Sequence, residues 1–162
     1  MARALIVGCG CRGRSLGGRL AADGWAVRGT TREQRAANEF EAAGIEPAVA
    51  DPERPETILE LVGDVAVVHW LLGSARAEPE LIEAIHGPRL ERLLEKLVDT
   101  PVRGFVYEAA GEVERRFLKR GAELVREAGE RWRIPVAVVE ADPALPDDWL
   151  TAMAKATERL LS

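Results

Sequence analysis

Residues 5–20, LIVGCGCRGRSLGGRL, constrain this chain more than any other stretch. An apolar run enters a loop with glycines at Gly8, Gly10 and Gly13, and a pattern of helical period leaves it. Gly8 permits a tight turn off the strand, Gly10 lets phosphates approach the backbone, and Gly13 lets the helix pack close to the strand. The helix offers unpaired N–H groups and the positive end of its dipole. Spacing alone is weak evidence and also fits a ligand-free tight turn. Here the motif follows an expected strand and opens an expected helix, the context of a dinucleotide-binding turn.

The rest of the chain repeats the same alternation. Strands are expected near 3–8, 25–30, 46–50, 64–71, 102–108 and 134–140. Helices are expected near 12–23, 32–43, 53–62, 88–99, 112–132 and 147–161. Runs such as DVAVVHWL and PVAVVEA are apolar on both faces, as parallel strands covered by helices on each side must be. Right-handed crossovers then predict an α/β, doubly wound parallel sheet, a Rossmann fold of strand order 3-2-1-4-5-6, in a single domain over residues 1–162. Gly24, Gly44 and Gly63 follow the first three helices as natural C′ residues, and Pro88 suits the first position of the fourth.

The end of the second strand selects the nucleotide. A site for NAD places an acid there to accept from the ribose 2′-hydroxyl. This sequence reads VRGTTR, with Thr30, Thr31 and Arg32 and no acid before Glu33. Arg32 suits a 2′-phosphate through charge-assisted bonds, the two threonines add hydroxyl donors, and Arg12 could flank the same phosphate. The expectation is NADP(H) rather than NAD(H), although these arginines also fit a solvated surface. An S-adenosylmethionine site would want an acid that is missing.

The segments LIVGCGCRGRSLGGRLAADGWAVRGTTR, DVAVVHW and HGPRLERLLEKLVDTPVRGFVYEAAG resemble the short-chain dehydrogenase/reductase superfamily, most nearly its extended and atypical branches of NAD(P)-dependent epimerases and reductases. The resemblance covers the layout of residues 1–140. It implies that the glycine turn (Gly8, Gly10, Cys11, Arg12, Gly13) and Arg32 hold the cofactor. It also implies that Asp51 lies near the adenine and residues 69–74 near the nicotinamide half.

The family's chemistry uses a YxxxK pair with a serine upstream. The one tyrosine here, Tyr107, is followed four residues later by Gly111, and Arg115 stands four residues before Lys119. Extended members also carry a sizeable substrate region, whereas EADPALPDDWLTAMAKATERLLS reads as a turn and a closing helix. His69 and Glu108, at adjacent strand ends, are the substitute acid/base candidates; the alternative is a hydrogen-bonded histidine at a strand end and a solvated carboxylate. Two function classes stay open: a reductase acting on a small-molecule substrate, and a non-catalytic module that senses NADP(H) or regulates a partner.

With 47% hydrophobic and 30% charged residues and a net charge of −5, the chain reads as a globular protein without the basic face of a nucleic-acid or membrane-surface binder. The N-terminal apolar run is shorter than a signal-peptide core, so a cytoplasmic location is expected. Cys9 and Cys11 diverge in a tight turn, which argues against a disulfide, and with His69 and His86 they lack zinc spacing, so no metal is expected. An apolar stripe of Val113, Phe117, Leu124, Ala128 and Trp132 hints at a homodimer interface.

Overall fold

Strands that are apolar on both faces can only lie in the middle of a three-layer sandwich. The computed structural model, which describes residues 2–162, has this architecture. Its elements run β1 (Arg3–Val7), α1 (Cys11–Ala22), β2 (Ala26–Thr31), α2 (Ala37–Ala42), β3 (Glu46–Val49), α3 (Pro55–Leu59), β4 (Val67–Trp70), α4 (Pro79–Ile85), α5 (Pro88–Leu97), β5 (Gly104–Glu108), α6 (Arg115–Trp132), β6 (Val136–Val139) and α7 (Pro146–Leu160). The sheet is parallel throughout, in the order β3-β2-β1-β4-β5-β6, so the expected Rossmann topology is present.

Alternation along the strands divides the core. Leu5, Val7, Val68, Trp70, Phe105 and Tyr107 point to one face, where α3, α4, α5 and α6 cover them. Ala4, Ile6, Val67, Val106 and Val139 point to the other, against α1 and α7. Each fully buried aliphatic side chain contributes about 1.5–3 kcal/mol of transfer free energy, and β1 and β4 carry such side chains on both faces.

Proline fixes several helix starts. Pro55, Pro79, Pro88 and Pro146 stand in the first turns of α3, α4, α5 and α7, where the missing N–H would have no intrahelical partner. Gly24 and Gly44 adopt φ of 97° and 80° as C′ residues. Gly63 does not enter that region, whereas Arg133, which closes α6, does so with φ of 55°.

Three expectations need correction. The second helix is a 3-10 turn (Gln34–Ala36) followed by the short α2. A further helix, α4, forms where no element was expected. The apolar stripe of α6 is no free face: Val113, Phe117, Leu124 and Ala128 are all buried in the core beneath α6. No described helix is long and apolar enough to cross a membrane.

At Gly121, α6 passes so close to β5 that a Cβ there would overlap the Tyr107 hydroxyl and ring. That ring cannot withdraw, because its Oη lies 2.7 Å from His86 Nδ1. Gly121→Ala is expected to cost about 1–3 kcal/mol in urea unfolding, despite the better helix propensity of alanine. An unchanged or higher stability would mean that α6 sits further from β5 than this packing requires.

Candidate functional site

The chain order reverses at β1, with β2 on one side and β4 on the other, so their outgoing loops diverge and leave a crevice at the carboxyl ends of the strands. The glycine turn lines its floor. Gly8 takes φ of 83°, and a Cβ there would come within 2.5 Å of the Leu71 carbonyl oxygen, so only glycine lets β1 turn beneath the end of β4. Its N–H donates to Thr30 Oγ1 at 3.3 Å, which ties the turn to β2. At Gly10 a Cβ would meet nothing within 4 Å, leaving the backbone open to an approaching group. Gly13 is buried, and a Cβ there would stand 3.3 Å from Ile6 and Cys9 atoms, so it sets the spacing between α1 and β1. No side chain caps α1 and no acidic residue stands in its first turn, which suits an anion.

On the β2–β3 side of this turn lies a cavity of about 250 Å³. Gly8 and Cys9 line it from the turn, Thr30, Thr31 and Arg32 from β2 and its end, and Ala50, Asp51 and Pro52 from the loop after β3. Leu72, Ala75 and Arg76, with Leu81 and Ile85 of α4, form the opposite wall. That wall was missed in the sequence. Leu81, Ile82 and Ile85 after Pro79 and Glu80 carry a short helical pattern that could have marked it.

The expected cofactor residues play unequal parts here. Arg32 is exposed at the rim and forms no ion pair among the described residues. Thr30 is buried and accepts from Gly8, while Thr31 Oγ1 is bound to the N–H and C=O of Glu33 at 3.1 Å each, so its hydroxyl holds the loop. Asp51 Oδ1 accepts from the Glu53 N–H at 2.9 Å and keeps the carboxylate beside the cavity. Cys9 is buried in the floor, and burial pushes its thiol up to about 12. Cys11 is exposed, with its sulfur 3.3 Å from Arg14 Nη2, and does not line the cavity.

Arg12 corrects the sequence reading. It does not flank the cavity; it crosses to β5, where its Nη2 lies 3.2 Å from both Glu108 carboxylate oxygens. Glu108 is fully buried, not solvated as the alternative reading had it. Its Oε1 also accepts from the Gly73 N–H and its Oε2 from Trp149 Nε1–H, each at 2.9 Å. Burial pushes this carboxyl above the usual range, and Arg12 and the two N–H donors oppose the shift. The Arg12 guanidinium also lies 5.6 Å from the Trp149 ring centroid.

His69 is not in the crevice. It shares a sheet face with Glu108 but is enclosed beneath α7, with Nε2 2.8 Å from Thr157 Oγ1 and Nδ1 3.4 Å from the Leu5 carbonyl oxygen. The two candidate acid/base residues share no hydrogen bond. His86 is likewise internal, between Tyr107 and the Leu72 carbonyl oxygen. Trp70 is also core: it lies against Phe105 and donates to the Ile85 carbonyl oxygen at 3.2 Å.

Burial lowers both histidines from 6.5 to about 4. Between these values the unfolded chain binds more protons than the folded one. Their contribution is therefore fully present above pH 6.5 and is lost as pH falls toward 4. Each contributes up to about 3 kcal/mol. Between pH 7.5 and pH 5, His69→Gln is expected to reduce the acid-induced loss of unfolding free energy by about 2 kcal/mol relative to the unsubstituted chain. Equal losses in the two proteins would mean that His69 already titrates normally in the fold.

No family model matches the sequence, and no curated protein matches it. Solved structures do share the fold. UDP-glucuronic acid 4-epimerase from Bacillus cereus, determined with NAD, superposes with a TM-score of 0.67 at 15% identity, over 86% of this chain and 56% of the epimerase. Vestitone reductase from alfalfa gives 0.66 at 15%, over 85% and 56%. A short-chain dehydrogenase/reductase superfamily protein from Agrobacterium tumefaciens with bound NAD gives 0.67 at 20%, over 84% and 48%. The chain thus spans about half the length of these proteins, and what it shares with them is the fold.

Proposed function

We propose that this chain is an NADP(H)-binding Rossmann module, a divergent relative of the short-chain dehydrogenases/reductases, and that binding rather than catalysis is its task. The observation that carries the reading is Arg32. It stands, without an ion-pair partner among the described residues, at the rim of a cavity floored by Gly8 and Cys9, on the β2 side where a ribose 2′-substituent would lie. The open space above Gly10 and the uncapped start of α1 suit a pyrophosphate. Ala50, Pro52, Leu81 and Ile85 give an adenine ring apolar walls, with Asp51 beside them. Two of the solved neighbours hold NAD, which supports a nicotinamide dinucleotide as the ligand class.

A bound NADP(H) supplies a hydride acceptor or donor at its nicotinamide. The reductase reading needs a proton donor at that point, and the geometry favours neither candidate. His69 is enclosed below α7, and Glu108 is held by Arg12, Gly73 and Trp149. A small-molecule substrate and a cytoplasmic location belong to the reductase reading and the sequence expectation respectively, and neither is needed for a binding module.

Calorimetric titration with NADPH and NADH tests the proposal. NADPH is expected to bind more tightly. Arg32→Ala should weaken NADPH by roughly 10- to 150-fold, the worth of about 1.5–3 kcal/mol for a charged hydrogen bond, and leave NADH nearly unchanged. Equal loss for both nucleotides, or no binding of either, would contradict it.

A further inference from the structure

The crevice of a Rossmann sheet serves two nucleotide halves, one on each side of the order reversal. In this chain the two sides differ. The β1–β2–β3 side has the open cavity of about 250 Å³, close to the lower limit of roughly 300 Å³ for pockets that enclose a ligand of drug size. Between β4 and β5 the mouth is crossed by the chain's own groups, and the space of about 950 Å³ that opens beyond them, lined by Ala109, Ala110, Gly111, Glu140 and Asp142, lies along α6 on the β5–β6 side.

A buried carboxylate and a seam between two loops cross this mouth. Glu108 projects from the end of β5 and receives four hydrogen bonds, two from Arg12, one from Gly73 and one from Trp149. These partners come from the first turn of α1, the loop after β4 and the first turn of α7, so one carboxylate joins three elements across the mouth. The loops after β4 and β5 are then sewn together. The Val113 N–H donates to the Gly73 carbonyl oxygen at 3.0 Å, and the Glu112 N–H to Ser74 Oγ at 3.1 Å. At Gly111 a Cβ would overlap the Gly73 carbonyl, so no side-chain space separates the loops. Arg76 and Glu112 add an exposed pair above the seam at 3.3 Å.

We infer that the site recognises adenosine 2′-phosphate nucleotides as mononucleotides. The Arg12–Glu108–Trp149 cluster bars the second half of a dinucleotide, so the nicotinamide end of NADP(H) extends into solvent. This inference rests on the proposed NADP(H) reading and narrows it, since the ligand class becomes any adenosine 5′-phosphate carrying a 2′-phosphate. To reach the β4–β5 side, a dinucleotide would have to draw Arg12 away from Glu108 and leave a buried carboxylate without its cation. That state is strongly disfavoured unless the carboxylate is protonated.

The test compares adenosine 2′,5′-bisphosphate, NADPH and nicotinamide mononucleotide by calorimetry on the intact chain. The bisphosphate and NADPH are expected to have Kd values within threefold, and nicotinamide mononucleotide to give no heat of binding at millimolar concentration. NADPH binding more than threefold tighter than the bisphosphate overturns the inference while leaving the NADP(H) site in place. Failure of both to bind removes the nucleotide reading itself, and this inference with it. The double variant Arg12→Ala, Glu108→Ala removes both charges together, so neither stays buried alone. If it remains folded by thermal melting, NADPH should gain at least tenfold over the bisphosphate; unchanged relative affinity overturns the role of the cluster.

Discussion

Everything in this molecule follows from a parallel sheet whose middle strands are buried on both faces. Such strands force each connection to cross over a face, and the reversal of winding at β1 leaves one place where loops diverge. The glycine turn lies there because β1 must end beneath β4. The Gly8 N–H is tied to the Thr30 hydroxyl, and a side chain there would run into the Leu71 carbonyl at the end of β4. The cavity on the β2–β3 side is the space this turn leaves open.

On the other side of the reversal, electrostatics takes over from packing. A buried carboxylate is costly unless donors surround it, and Glu108 has a guanidinium and two N–H groups in place. That arrangement converts Arg12 from a surface cation into a structural one and draws Trp149, hence the start of α7, over the end of the sheet. Removing a single partner would strand the charge. The cluster therefore holds the Glu108 carboxylate in four hydrogen bonds at the end of the sheet.

Much of the fold was legible because continuous apolar runs, the helical periods between them and most of the glycine and proline punctuation agree. The six strands, their order and the starts of α5 and α7 follow from local pattern. The helix α4 escaped notice because its seven residues carry too little periodicity to stand out from a loop. Of the residues that line the cavity, Gly8 was visible through the spacing of its turn and Arg32 through its place after the second strand, whereas Asp51 was implied only by the family resemblance. The pairing of Arg12 with Glu108 was not visible, since 96 residues separate them and nothing local announces that a carboxylate at a strand end will be buried. For His69 the alternative reading, a hydrogen-bonded histidine at a strand end, agrees with the structure, although its partner Thr157 lies 88 residues away and could not be named from the sequence.

The most direct measurement is a crystal structure of the chain grown with NADP+. Adenosine density is expected in the cavity between Asp51 and Leu81, with the 2′-phosphate on Arg32 and the pyrophosphate over Gly10. Adenosine density at another surface, or a 2′-phosphate turned away from Arg32 toward α1, would contradict the claim that the glycine turn and β2 form the nucleotide site.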